Sequence, residues 1–340
     1  MTTSLTRIGV LGCGYWGPNL IRNFNQASAS RTAAVCDLSQ ARLDFIAHQY
    51  PGLHTTRDHR ELLADPSVDA IALATPVETH FALGREALLA GKHLLVEKPL
   101  ARNSRECQEL IELAERQDRV LMVDHTYIYS SAVRKIKELV DRSDLGELYY
   151  IDSVRVNLGL FQEHVNVIWD LAPHDLSILQ YLLGRVPESV SAIAASHTDH
   201  SQEHIAYLTL HYPDKLIAHI HVNWLAPVKI RRMLFGGSRK MVVYDDVEPS
   251  EKVKVYDRGV TVSQSPEDVH KTLIQYRTGD ISVPKLDGTE ALRFECEHFI
   301  DCIRSQGRPT SDGASGLAVV RVLEAAEASA RQHGAPVRCA

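Results

Sequence analysis

An α/β fold is what this sequence predicts: a doubly wound parallel sheet, joined to an α+β domain with an open, mainly antiparallel sheet. Three observations lead there. An apolar run near the start of the chain ends in a glycine triplet. Continuous apolar runs then alternate with helical stretches up to about Asp124. Beyond it, most runs alternate apolar with polar residues. With 340 residues, 44% hydrophobic and 24% charged, the chain is long enough for two domains.

The triplet is Gly12, Gly14 and Gly17 in the stretch Ile8–Gly17, IGVLGCGYWG, which matches G-x-G-x-x-G. It reads as a buried strand turning sharply into a helix. Gly12 makes the turn, Gly14 lets a pyrophosphate approach bare backbone, and Gly17 lets the helix pack close to the strand. Free N–H groups at the helix start face the phosphate, and Pro18 suits the first turn. Cys13 reads as a small filler. A second apolar run, Thr32–Cys36, ends in Asp37. An acidic residue there accepts hydrogen bonds from both ribose hydroxyls of NAD and repels the extra phosphate of NADP. Asp37 also fits a helix N-cap. Leu38 follows it, and Arg42 one turn on keeps NADP open as the lesser alternative.

Strands are next predicted over Leu53–Thr56, Asp69–Ala74, Lys92–Val96 and Val120–Val123. Helices fall over Ala41–Tyr50, Arg60–Ala64, Thr79–Ala90 and Arg105–Gln117. Short connections between them argue for a parallel sheet. Ser131–Val140 and Asp170–Leu183 read as helices, the second closed by Gly184. Strands follow the change of texture at Leu148–Val156, Ser189–Ala195, Ile205–His211, Leu216–Trp224, Ile230–Phe235, Met241–Tyr244 and Lys252–Tyr256. Helices near Thr289–Arg304 and Gly316–Arg331 end the chain and can pack back towards the first domain. The expected division is a dinucleotide-binding domain over 1–124 and a substrate-binding and oligomerisation domain over 125–340. Within Leu216–Trp224, His219 and His221 share a face with Ile217 and Asn223. No third ligand stands at a natural spacing, so this reads as a sheet face at a subunit contact, with no metal.

A formal net charge of -6, with no basic block, argues against a nucleic-acid surface. Met1–Arg7 lacks the apolar core of a signal peptide, and no apolar run approaches the roughly 20 residues that span a membrane. Six scattered cysteines, none in C-x-x-C, fit reduced thiols in a cytoplasmic protein without membrane partners.

Candidate chemistry sits at strand ends. Ligands of open parallel sheets bind outside the carboxyl ends of the strands. Glu97-Lys98-Pro99 follows one such strand, and Thr75-Pro76 another, with Thr79 and His80 close behind. Pro99 suits an unusual, cis geometry that aims Lys98, although a solvated surface lysine would read the same. In Trp169-Asp170-Leu171-Ala172-Pro173-His174-Asp175, Asp170 and His174 are four apart and share a helix face. Pro173 is tolerated in a first turn, which makes Asp170 the expected N-cap. His174 then stands near a helix N-terminus, where the dipole favours a neutral imidazole able to accept a proton. A capping Asp and a packed His is the alternative.

This ordered set of motifs resembles the glucose–fructose oxidoreductase, inositol dehydrogenase and rhizopine-catabolism family (Gfo/Idh/MocA) over nearly the whole chain. The resemblance implies a Rossmann domain followed by an open-sheet domain, and oxidation or reduction of sugars or cyclitols at a ring carbon. It puts the catalytic lysine on Lys98, the acid–base histidine on His174 and the dyad aspartate on Asp170. The expected cofactor set is Gly12, Gly14, Tyr15, Trp16, Gly17, Asp37, Thr75, Pro76, His80, Glu97 and Lys98. Tyr15-Trp16 are bulky residues that would cover the nicotinamide side. Val167-Ile168-Trp169 stands where many members have glycines, which implies a reshaped substrate pocket. A homodimer or homotetramer through the open sheet is also implied.

Hydride transfer from a ring carbon to NAD is the expected reaction. His174 takes the hydroxyl proton and Lys98 stabilises the oxygen. Tyr127, Asn157, Asn166 and Trp169, with Asp170 and His174, are the expected substrate contacts; His125 and Tyr129 are further candidates. The segment Asn157–Asp170 has no Lys or Arg, and its charges are Glu163 and Asp170. That favours an amino sugar or aminoglycoside, oxidised to a keto sugar for later transamination, over a nucleotide-diphosphate sugar. Arg155, Lys229, Arg231 and Arg232 keep the nucleotide sugar open, beside a cyclitol dehydrogenase or ketoreductase. A non-redox enzyme using NAD transiently and a catalytically silent NAD-binding sensor are the alternatives of other classes.

Overall fold

The computed structural model describes residues 5–159, 165–198, 202–257, 259–262, 274–277 and 279–339. Contacts divide the chain into two compact units: Met1–Ser130 with Thr289–Arg321, and Ser131–Gly288 with Val322–Ala340.

The first unit opens with β1 (Thr6–Leu11), α1 (Gly17–Gln26), β2 (Ser30–Cys36), α2 (Gln40–Gln49), β3 (His54–Thr56) and α3 (His59–Ala64). β4 (Ala70–Leu73), α4 (Val77–Leu89), β5 (His93–Glu97), α5 (Ser104–Arg116) and β6 (Leu121–Asp124) follow, then a short 3-10 helix over Thr126–Tyr129. Its six strands are ordered β3-β2-β1-β4-β5-β6, all parallel. That order reverses direction beside β1, so the ends of β1 and β4 flank a natural crevice. Every residue of β4 and β6 is buried, which is why those runs carry no alternation.

The second unit contains α6 (Ser131–Asp141), β7 (Leu148–Leu158), α7 (Val167–Leu183), β8 (Ser189–Ala195), β9 (Ile205–His211), β10 (Ile217–Asn223), β11 (Leu225–Gly237), β12 (Met241–Asp245) and β13 (Val253–Tyr256). A separate hairpin pairs β14 (Gly259–Val262) with β15 (Ile274–Arg277), and β16 is Ile281–Ser282. α8 (Ala291–Ser305) lies in the first unit, α9 (Gly313–Arg331) contributes to both, and β17 is Val337–Arg338. The large sheet runs β16-β13-β12-β11-β7-β10-β9-β8-β17. Only β7 and β10 pair in parallel among its described strands. One face buries Ala192, Leu208, Ile220, Met233 and Tyr244. The other leaves Tyr150, Ile193, Tyr207 and Ile217 exposed. No helix among the described residues is long and apolar enough to cross a membrane.

α8 is anchored in the first unit. Arg22 of α1 donates two hydrogen bonds to Glu290, and Phe24 meets Phe299 edge-on, 6.4 Å between centroids.

Candidate functional site

In the first unit, the glycine turn has the geometry its spacing requires. Gly12 sits at φ +95°, where a side chain would be strained and would run into Ala74. A Cβ on Gly17 would run into the Gly12 carbonyl. At Gly14 a Cβ would meet only Arg42 Nη1, at 3.9 Å, so bare backbone faces open space there. α1 begins after Trp16 with no side chain capping it; Pro18 has no N–H and Asn19 N turns back to the Trp16 carbonyl, so Gly17 is the position in its first turn that presents an N–H to an anion. Asp37 is buried and held from two sides: Oδ2 accepts from Cys13 N at 2.6 Å and Oδ1 from Ser39 N at 2.8 Å. Arg42 Nη1 stands 3.6 Å from Oδ2, drawn to the carboxylate. A fixed acidic side chain beside an uncapped helix start fits the ribose and pyrophosphate of NAD. Burial, with Asp37 adding, pushes the Cys13 thiol up to about 12, so it stays protonated and serves as filler.

Around this cradle, Tyr15 is 83% exposed and meets Trp16 edge-on. Thr75 Oγ1 bonds Thr79 Oγ1 at 2.7 Å, and Pro76 precedes α4 as its N-cap. His80 is placed inside. Its ring nitrogens lie 2.9 Å from the Pro99 carbonyl and 2.8 Å from the Thr75 carbonyl. Burial lowers its pKa and the two carbonyls oppose that shift; the neutral ring donates its one N–H to one of them and so tethers one strand-end turn. Lys98 is half-buried at the end of β5, and the Lys98–Pro99 peptide bond is cis.

Behind Lys98 lies a buried carboxyl cluster that sequence reasoning missed. Glu97 and Asp124 are register partners on β5 and β6, and Glu295 comes from α8. Their exposures are 7%, 2% and 0%. Thr126 Oγ1 donates to Asp124 Oδ1 at 2.5 Å. Burial first, then Asp124, pushes Glu97 well above the usual carboxylate range, with Lys98 opposing. Burial and Asp124 do the same to Glu295, with Glu97 adding. Glu97 therefore faces inward to other carboxyls. His125 is 2% exposed, and burial pulls its pKa down to about 4, so it is neutral. Tyr129 bonds Ser311 Oγ at 2.8 Å inside the unit, while Tyr127 is half-buried on the short helix.

The dyad helix lies in the second unit and starts earlier than Asp170. α7 begins at Val167, and Asn166 is its cap, accepting from Ile168 N and Trp169 N at 3.1 Å each. An Asn side chain that reaches two N–H groups wins over Asp170 as the start signal. Two expectations change with it. Pro173 falls inside the helix, and His174 stands beyond the first turn, where the dipole has faded. Asp170 and His174 remain four apart on one helix, so they share a face. Asp170 Oδ2 accepts from Trp224 Nε1 at 3.0 Å. The next residue, Asp175, is buried and binds Arg155 Nε at 2.8 Å and Nη2 at 3.1 Å, which fastens α7 to β7. Asn166 also donates to Glu203, so its polar atoms serve the helix start. Asn157 and Trp169 are half-buried near these strand and helix ends. Residues 160–164, Glu163 among them, lie outside the described residues.

Comparison with known proteins agrees with both halves. Residues 6–125 match a profile described as an oxidoreductase family with an NAD-binding Rossmann fold. Residues 133–243 match the GFO/IDH/MocA C-terminal domain. A UDP-N-acetylglucosamine 3-dehydrogenase from Acidithiobacillus ferrooxidans is 28% identical, over 94% of this chain and 95% of its own. An inositol 2-dehydrogenase from Saccharopolyspora erythraea is 33% identical, over 55% of this chain and 56% of its own. An oxidoreductase from Agrobacterium radiobacter, solved with NAD+, L-tartaric acid and magnesium, superposes with a TM-score of 0.83 at 18% identity. It covers 99% of each chain.

Proposed function

The chain belongs to the Gfo/Idh/MocA oxidoreductase family, and on that premise we propose that it oxidises a ring secondary hydroxyl of an amino sugar to a ketone. It is an NAD-dependent oxidoreductase acting on CH–OH groups. When bound, NAD supplies the hydride acceptor. The chain's own residues handle the proton and the charge. His174 takes the hydroxyl proton, Lys98 donates a hydrogen bond to that oxygen as negative charge develops, and Asp170 orients the imidazole. The observation that carries this reading is the pairing of Asp170 and His174 on one face of α7, with the carboxylate anchored by Trp224.

Charge supports an uncarried amino sugar. Of Arg155, Lys229, Arg231 and Arg232, the basic side chains that keep a diphosphate open, three are taken by carboxylates. Arg155 binds Asp175, Arg231 lies 3.5 Å from Asp246, and Arg232 lies 2.7 Å from Asp245. A diphosphate would have to compete for them. The second reading, an amino sugar carried on a nucleoside diphosphate, is favoured by the relative named UDP-N-acetylglucosamine 3-dehydrogenase. An NADH absorbance assay across free amino sugars, aminoglycosides, cyclitols and UDP-N-acetylglucosamine separates them. The first reading expects the highest kcat/KM among free amino sugars. Preference for the nucleotide sugar transfers the assignment to the second, and no NADH from any substrate overturns both.

The open face of the large sheet supports a homodimer or homotetramer built through it. Tyr207 lies in its middle, its ring stacked on His221 at 4.4 Å and on His219 at 6.0 Å. Ile193 is its register partner on β8. In sedimentation velocity, Tyr207→Glu is expected to shift the assembled species towards monomer. A parent that already sediments as a monomer contradicts the assembly.

A further inference from the structure

We propose that Trp224 is a positioning residue for the acid–base pair, its indole N–H fixing the rotation of the Asp170 carboxylate. The inference rests on the dyad reading above and deepens it: the contact that anchors the carboxylate there also sets its orientation for catalysis.

The contact is directional. Trp224 Nε1 donates to Asp170 Oδ2 at 3.0 Å. The terminal torsion of an aspartate is broad and two-fold, so packing alone leaves the carboxylate plane loosely set. A bond to one oxygen fixes that plane. The indole is a donor only. It cannot reverse its role, and it cannot take up the proton that His174 receives.

The indole is itself held from several directions. Trp224 is 1% exposed and follows directly on β10. Its backbone N donates to the His204 carbonyl at 2.9 Å, and its carbonyl accepts from Gly159 N at 3.0 Å. A Cβ on Gly159 would lie 2.7 Å from Trp224 Cδ1, so only a glycine lets that backbone lie against the ring. The ends of β9 and β7 thus fix the main chain of Trp224 through His204 and Gly159, and Gly159 also lies against its ring. The neighbour of His204 completes the frame: Glu203 accepts from Val167 N through its carbonyl and from Asn166 Nδ2 through its side chain, each at 3.0 Å. The start of α7 and the ring that holds its aspartate are therefore tied to the same two residues, Glu203 and His204.

The test is a double-mutant cycle on kcat with Trp224→Phe and Asp170→Ala. Trp224→Phe is expected to lower kcat roughly tenfold, with KM for NAD unchanged, and to cost nothing further in the Asp170→Ala background. An equal loss in both backgrounds, or no loss in the parent, overturns the proposal. Full kcat in Asp170→Ala alone overturns the dyad reading instead. A second measurement needs no change at Trp224. With the indole N–H resonances of the chain's 3 tryptophans assigned through Trp16→Phe and Trp169→Phe, the Trp224 signal is expected to move in Asp170→Ala. It should stay near its place in Asp170→Asn, which keeps an acceptor oxygen. A Trp224 signal indifferent to Asp170→Ala also overturns the proposal.

Discussion

Replacing His174 by alanine is expected to lower kcat by about 10²–10⁴-fold, and Lys98→Ala to do the same, while the affinity for NAD is unchanged. The two losses have different physical origins. His174 shares a helix face with Asp170, whose carboxylate is the group proposed to offset the charge it gains. Without the ring, the hydroxyl proton has to leave to water, so the remaining rate should rise with pH and with added imidazole. Lys98 is a cation, and on the proposed assignment it meets an oxygen that grows negative as its proton departs. Removing it withdraws stabilisation made only in the transition state, so kcat falls and the KM for sugar changes little. The proposal has both acting on one oxygen, and it therefore expects the double variant to lose far less than the product of the single effects. NAD affinity, measured by tryptophan fluorescence, should hold because Gly14, Asp37 and the start of α1 carry the dinucleotide. Parental turnover in either single variant sinks the assignment of that residue.

The features legible in the sequence are those whose cause is local. Gly12, Gly14 and Gly17 announce themselves because a turn, an open approach and a close crossing each exclude a side chain at a fixed spacing. β4 reads as a two-face-buried strand because all four of its residues are apolar. β9 and β10 read as half-buried because their burial alternates residue by residue. Asp170 and His174 were visible as a pair for the same reason. The helix start was misread because Asn166 and Asp170 are both good caps, and the choice depends on Glu203, far along the chain and bonded to Asn166. Alternation along Leu216–Trp224 puts Trp224 on the face opposite His219 and His221, but it says nothing about where an indole N–H finds its acceptor. Glu97, Asp124 and Glu295 are unreadable as a cluster: two sit at adjacent strand ends and the third arrives on α8.

That cluster gives the second large effect, a pH dependence of stability that Glu295→Gln should flatten. Three buried carboxyls cannot all ionise at close range. Asp124 already accepts from Thr126, and Asp124 Oδ2, Glu97 Oε1 and both Glu295 oxygens meet no donor unless carboxyls carry protons. Protons on Glu97 and Glu295 supply those donors. Both groups have folded pKa values above the ordinary 4.5. Their contribution is complete below that value and is lost as pH rises towards the folded pKa, because the unfolded chain sheds the protons first. Each retained proton should cost about 1.4 kcal/mol of stability per pH unit across that window. Glutamine is neutral at every pH, and its amide still donates to Asp124. Glu295→Gln should therefore gain on the parent in thermal unfolding as pH rises above the ordinary carboxylate value towards the folded pKa of Glu295, its slope smaller by up to one proton. Asp124→Leu should behave oppositely: it removes the acceptor and destabilises at every pH, by about 1–3 kcal/mol for each donor left without a partner. Lys98, His125, Tyr129 and Cys296 are the other charged or titratable groups nearby. His125 is neutral throughout this range, burial raises Tyr129 and Cys296 so that both stay protonated, and Lys98 is untouched by the substitution, so none can imitate the difference between the curves. Parallel curves for Glu295→Gln and the parent would mean that Glu295 is ionised in the folded protein, and the proton-sharing cluster would have to be abandoned.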